Sequence, residues 1–292
     1  MDGADLPATT DGDGVLNLHG GRSLRHLARM RSGRSSLVLS GVEPHSGRRL
    51  IVKIARSSAH RLATEAQTLA AISTCGVPVP RPVGLDTVTL GNRDAPCLVL
   101  TWCPGHRPQT LPAVIRFGTA LARLSRHAAC CPHLPKLSAT EVLAQHNEAV
   151  DVLAEALPAS LRRRLRAVSV GPAPSGLLHG DPGPDNFLNT PDGGTLIDLE
   201  RAAVGPLSLD LARAQAAFEL AETSPEPALL SALGVTYRRL VPLPVRPSDG
   251  WWTIAATQLL RWRWDQRHRS DVPNWGFAAN RIERRLAQEQ AC

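Results

Sequence analysis

Lysine is almost absent from this chain of 292 residues. Lys53 and Lys136 are the only two, so arginine supplies nearly all of a formal net charge of +7. Such a charge suggests a nucleic-acid ligand, but two further deficits argue against one. The arginines are scattered rather than gathered into a basic run, and aromatic residues make up only 4% of the chain, which leaves little for base stacking. No uncharged apolar stretch reaches the roughly 18 residues a membrane span requires. The opening residues MDGADLPATTDGDG have neither the basic start nor the apolar stretch of a signal peptide, and a cytoplasmic protein is expected. The six cysteines form no paired C-x-x-C arrangement, which argues against a zinc site or disulfide framework and for reduced thiols. Internal repeats are lacking too.

What is present is a soluble, globular composition, 43% hydrophobic and 20% charged. Residues 1–22 read as a disordered acidic tail. Residues 36–43 and 49–55 read as two strands around the turn Pro44-His45-Ser46-Gly47. A helix is predicted over 59–74, with Leu62, Ala66, Leu69 and Ile72 on one side and Gly76 as its stop. The proline-rich segment 77–84 is extended, 97–101 is a short buried strand, and Pro104-Gly105 marks a boundary. Beyond it the pattern is mainly helical, over 111–129, 138–156 and 158–169. A small β element follows at 176–179, 186–189 and 195–199, and helices return near 207–222, 225–240, 249–269 and 277–290. The chain thus divides into a tail (1–22), a small β-rich part (23–104) and a large helical part (105–292).

The strongest chemical signal is His179-Gly180-Asp181-Pro182-Gly183-Pro184-Asp185-Asn186. An Asp and an Asn separated by four residues have the spacing of a kinase catalytic loop. There the Asp accepts the proton of the substrate hydroxyl and the Asn binds magnesium. Asp198 stands twelve residues after Asn186, at the end of the apolar strand Thr195–Ile197, a rigid place for a metal carboxylate. Either motif alone is equally a turn or a strand end with solvated acids; their ordered combination is harder to obtain by chance. In the first half, Lys53 lies inside the apolar segment LIVKIA and needs an anionic partner if buried. Glu65, twelve residues later on the predicted helix, fits that role, together with nucleotide phosphates.

LLHGDPGPDNFL followed by TLIDLERAAVGPLSLDLARA resembles the aminoglycoside phosphotransferase and choline kinase-like family. The resemblance covers roughly residues 33–220. It implies an α+β, bilobal protein-kinase-like fold, with a small β-rich N-lobe and a large mainly helical C-lobe, and phosphorylation of small-molecule hydroxyls. It also implies Asp181 as catalytic base, Asn186 and Asp198 as magnesium ligands, and Asp210 bracing the catalytic loop, with His179 in support and Glu200 as an indirect aid to the metal or a structural acid. The segment Leu100-Thr101-Trp102-Cys103 resembles the family hinge, where the Thr101 carbonyl and the Cys103 amide would meet the nucleobase. Ser35 and Ser36 stand where the phosphate-covering loop would lie, although no G-x-G-x-x-G accompanies them.

Gly180 occupies the position where protein kinases place an arginine, and no A-P-E follows the short interval after Asp198, so a small-molecule acceptor is expected. Residues 171–220 hold seven acids against Arg201 and Arg213, whereas 221–292 hold ten arginines against seven acids. The helix at 249–269 carries Trp251, Trp252, Trp262 and Trp264 with Arg261, Arg263, Arg267 and Arg269, read either as packing with a solvated face or as a wall for a flat ring. The expected activity is therefore an ATP- or GTP-dependent transfer, with Mg2+, to an antibiotic or other acceptor that is not strongly polycationic. The alternatives are a metabolic kinase of the choline, amino-alcohol or sugar type and a non-catalytic nucleotide-binding module. The expected oligomeric state is monomer or homodimer, with no membrane partner.

Overall fold

The computed structural model describes residues 14–30, 36–56, 58–190, 193–221, 226–243, 249–269 and 272–291. The chain forms two compact units, the first running through Pro104 with Ile197–Arg201 added, the second comprising the remainder from Gly105.

The first unit is built on six strands: β1 (Leu16–Asn17), β2 (Ser23–Arg29), β3 (Ser36–Val42), β4 (Arg49–Ala55), β5 (Pro82–Leu90) and β6 (Arg93–Thr101). They form one sheet in the order β1-β2-β3-β4-β6-β5, antiparallel throughout. Strand parity sorts the side chains. Leu50, Val52 and Ile54 of β4 face one core with their register partners Leu39, Leu37, Val99 and Cys97. Lys53, one residue out of step, goes to the opposite face, paired in register with Val38 and Leu98. The helix α1 (Ala59–Ser73) covers β4, β5 and β6. Its buried stripe is Leu62, Glu65, Thr68, Leu69 and Ile72, so the glutamate lies on the covered face, and Ala66 is only partly buried.

Two expectations change here. The predicted disordered tail does not extend to residue 22: residues 1–13 lie outside the described residues, but Leu16 and Leu18 are buried. The sheet curls until Leu18 bridges Val88, and the His19 amide donates to the Thr87 carbonyl at 2.9 Å. This pairing depends on the curl of the whole sheet and leaves little trace in the polar local sequence. The end of the extended segment, 82–84, and the short strand 97–101 are likewise parts of a longer hairpin, β5–β6, whose prolines sit at the first residue of β5 and inside β6.

The second unit contains α2 (Leu111–Leu124), a 3-10 helix (Ser125–Cys130), α3 (Ala139–Val152), α4 (Ala159–Arg166), β7 (Ser175–Leu178), β8 (Phe187–Thr190), β9 (Gly193–Leu196), β10 (Ala203–Pro206), α5 (Leu207–Glu219), α6 (Pro227–Leu240), α7 (Asp249–Asp265) and α8 (Trp275–Ala291). A reciprocal capping box between Ser138 and Glu141 starts α3. The small β element is two separate pairs, β7 with β10 and β8 with β9. β10 is the strand the composition does not announce, since Ala-Val-Gly-Pro carries too few β-branched residues. Trp251 and Trp252 are buried in the packing of α7, whereas Trp262 and Trp264 are half-buried. None of the described helices is long and apolar enough to cross a membrane.

Candidate active site

In the first unit three charged residues meet. The Lys53 ammonium donates to Glu65 Oε2 at 2.6 Å and to Asp198 Oδ1 at 2.9 Å. Lys53 and Glu65 are buried, and the Asp198 side chain is 36% exposed. Burial by itself lowers the lysine pKa, but the charges of Asp198 and then Glu65 outweigh it, and the net direction is upward. Lys53 is therefore a fixed cation at every physiological pH. Burial pushes the Glu65 carboxyl up, to about 7, against the pull of Lys53 and with repulsion from Asp198 and Glu200 adding to it. Asp198 lies beyond β9 rather than at a strand end, and its φ of +64° is left-handed. Aspartate tolerates this conformation better than most residues because its short side chain can bond locally.

The second unit assembles the other group. Leu177 and Leu178 of β7 are buried and lead into His179, which is also buried, so the following turn emerges from a rigid strand. Gly180 has a φ of +85°, a conformation that disfavours any residue with a Cβ. The Asp210 carboxylate, on the first turn of α5, accepts the His179 amide at 2.6 Å and the Gly180 amide at 3.1 Å. The Asp181 amide donates to His179 Nδ1 at 3.4 Å. A one-turn 3-10 helix, Pro184–Asn186, then presents Asn186, whose Nδ2 donates to the Asp181 carbonyl at 2.8 Å. That bond fixes the amide so that Oδ1 is its remaining polar atom. Asp181 is exposed. The arrangement offers an accessible carboxylate and an oriented amide oxygen on one tightly held loop.

The segment that follows Pro104 is zipped to this loop. His106 and Asn189 exchange both backbone hydrogen bonds, at 3.0 and 2.7 Å. Arg107 pairs with Asp185 at 2.5 Å, and Arg116 of α2 donates to Asn189 Oδ1 at 3.1 Å. Gly105, at φ +139°, lets the two backbones approach, since a Cβ there would stand 2.9 Å from the Asn189 oxygen.

A family profile described as the phosphotransferase enzyme family matches residues 26–243, most of the chain. The chain belongs to this family. The phosphotransferase shares its protein-kinase-like fold with solved structures of low sequence identity. It is similar to a choline/ethanolamine kinase family protein from Mesorhizobium loti (20% identity, TM-score 0.64, covering 88% of this chain and 86% of that one). It is similar also to an amicoumacin kinase solved in complex with AMP-PNP, Ca2+ and Ami (14%, TM-score 0.59, 90% and 88%). A third is a spectinomycin phosphotransferase in complex with ADP and spectinomycin (9%, TM-score 0.59, 88% of both). A search of curated proteins finds no significant match. The chain is a small-molecule kinase with a bilobal α+β fold, β-rich at its N-terminus and mainly helical after it.

The remaining predicted positions fall as follows. Ser35 lies outside the described residues. Ser36 is the first residue of β3, opposite Ala55 and 3% exposed, so it belongs to the sheet rather than to a loop. Thr101 ends β6; its Oγ1 accepts the Arg81 amide at 2.9 Å, and its carbonyl is approached by Cys103 Sγ at 3.9 Å. The Trp102 ring is covered by the Arg49 guanidinium at 3.8 Å. Glu200 is half-buried in the first unit, close enough to repel Glu65. Arg107, Arg116 and Arg213 escaped the sequence reading, being three arginines among many. For Arg213 alone a local signal exists, its i,i+3 spacing from Asp210.

Proposed function

We propose that this phosphotransferase moves the terminal phosphoryl group of ATP, or of GTP, to a hydroxyl of a small molecule, an antibiotic that the transfer inactivates. Asp181 takes the proton of the acceptor hydroxyl as its oxygen bonds to the phosphorus. The bond from that phosphorus to the bridging oxygen breaks, and the nucleoside diphosphate departs with the electron pair. The observation that carries this reading is Lys53, a buried cation held between Glu65 and Asp198. A lysine so placed is oriented for nucleotide phosphates, with Glu65 fixing its position. The backbone of Thr101 and Cys103 is assigned to the nucleobase. Residues 23–104 are assigned to nucleotide binding, and 105–292 to catalysis and the acceptor.

Asn186 and Asp198 are the proposed holders of Mg2+. Each offers an oxygen suited to a hard cation: Asn186 an oriented amide oxygen, and Asp198 a carboxylate that spends one oxygen on Lys53. The metal, when bound, supplies charge neutralisation on the phosphates. The chain itself holds these donors in place and keeps the carboxylate of Asp181 accessible. Low polycation affinity is supported by the arginine excess of residues 221–292. A metabolic acceptor of the amino-alcohol type is the second reading, favoured by the likeness to the choline/ethanolamine kinase family protein. The test is a transfer screen with isotopically labelled ATP over antibiotics and hydroxylated metabolites, read by mass shift. Phosphorylation of polyamine sugars alone would overturn the acceptor class, and unchanged turnover in Asp181→Asn would overturn the base.

A further inference from the structure

The grip of α5 on the catalytic loop depends on a carboxylate with almost no access to water. Asp210 is 1% exposed and accepts two backbone amides, from His179 and Gly180. Were it to take up a proton, one oxygen would turn from acceptor to donor, facing groups that can only donate. The turn that presents Asp181 would then lose half its anchorage. A buried carboxylate stays ionised only beside a cation or enough hydrogen bonds.

Three elements bring polar groups to Asp210. From α6 comes the buried Tyr237, a neutral phenol whose own ionisation is suppressed by burial and by the Asp210 charge. From the loop comes His179, whose Nδ1 accepts the Asp181 amide and whose ring, after Arg213, also favours the ionised Asp210. From α5 itself comes Arg213, one turn on, with Nη1 4.0 Å from Asp210 Oδ1. Its Nη2 donates to Gln258 Oε1 of α7 at 3.2 Å, which holds the guanidinium in place. On the same side of α5, Ala217 Cβ would stand 3.8 Å from a Cβ placed on Gly183 of the catalytic loop.

We infer that Arg213 is a positioning residue for phosphoryl transfer: held by Gln258, it keeps Asp210 anionic and so keeps His179, Gly180 and Asp181 in register. Burial raises the Asp210 pKa, and the Arg213 charge is the largest opposing influence. The role of Asp181 in this inference rests on the proposed function, whereas the anchoring of the loop does not.

The experiment compares Arg213→Met, Arg213→Lys, Asp210→Asn and the double variant Arg213→Met/Asp210→Asn with the parent chain, using labelled ATP and whichever acceptor the screen yields. Arg213→Met is expected to lower kcat about tenfold with nucleotide and acceptor KM changed less than about twofold. Its kcat should fall on acidification at a higher pH than the parent's, because Asp210 has lost its counter-charge. Arg213→Lys should restore most of the rate. In the Asp210→Asn background, Arg213→Met should do little more. Amide hydrogen exchange at His179 and Gly180 reads the anchorage without turnover, and protection there should fall about tenfold in Arg213→Met. Unchanged protection overturns the inference. So does a change confined to acceptor KM with the pH profile intact, which would make Arg213 an acceptor contact. Lost protection in a chain that shows no transfer would retain the inference and reject the proposed function. Arg213→Gln provides the same contrast should the methionine variant fail to fold.

Discussion

Replacing Lys53 with methionine keeps most of the side-chain volume and removes the charge, which makes it the sharpest probe of the first unit. The ammonium is lost from two carboxylates at 2.6 and 2.9 Å. Their burial differs: the Glu65 side chain is fully buried, and the Asp198 side chain is 36% exposed. Water takes over much of the solvation of Asp198, so its contribution is close to that of a surface pair, below about 1 kcal/mol. Glu65 has no such recourse, and its Oε1 has no hydrogen-bond partner among the described residues. Breaking a buried pair from one side costs about 3–5 kcal/mol. The expected loss is therefore about 3 kcal/mol in the first unit, nearly all from Glu65. The double variant Lys53→Met/Glu65→Leu removes the stranded carboxyl, which without Lys53 must take up a proton, and should recover to within about 1 kcal/mol of the parent. Hydrogen exchange of peptides from β4 and α1 measures this locally, and thermal unfolding checks it globally. A single variant costing less than about 1 kcal/mol, or a double variant as unstable as the single, would refute the account of Lys53 as the compensating charge.

Asp181→Asn should lower the transfer rate by a factor of about 10²–10⁴, the usual contribution of a positioned base, with nucleotide affinity within about twofold by calorimetry. Asn186→Ala should raise the divalent metal concentration needed for half-maximal rate, read in a metal titration. His146 provides a pH test: burial lowers its pKa, its Nε2 lies 2.8 Å from the Leu165 carbonyl, and its buried Nδ1 has no partner among the described residues. The unfolded chain protonates first, so stability is complete above about pH 6.5 and declines as pH falls below it. His146→Gln should flatten the melting temperature between about pH 7 and 5. Gly105→Ala should destabilise the second unit by about 1–3 kcal/mol, since φ is +139° and the new Cβ would meet Asn189 and Leu188 at 2.9–3.0 Å; an unchanged unfolding midpoint would contradict this.

The chemistry-bearing residues are legible one at a time because each breaks a local pattern. Lys53 interrupts an apolar strand in a chain with one other lysine, and Asp181 and Asn186 keep a spacing that a short loop imposes. Element types follow from the periods of apolar residues, which is why β3, β4, α1 and the helices after Pro104 appear near their predicted positions. Pairing across long separations leaves no such trace. The curl that brings Leu18 to Val88, the union of β7 with β10, and the meeting of Lys53 with Asp198 across 145 residues are decided by tertiary packing. Arg213 is the clearest case. Its sequence context is one arginine among 33 basic residues, and its meaning comes from a buried carboxylate on one side and Gln258 on the other. A charge acquires a role when the fold decides what it faces and how much water is left around it. Sequence alone determined which groups were available for catalysis; the tertiary structure decided which of them are buried, paired and held.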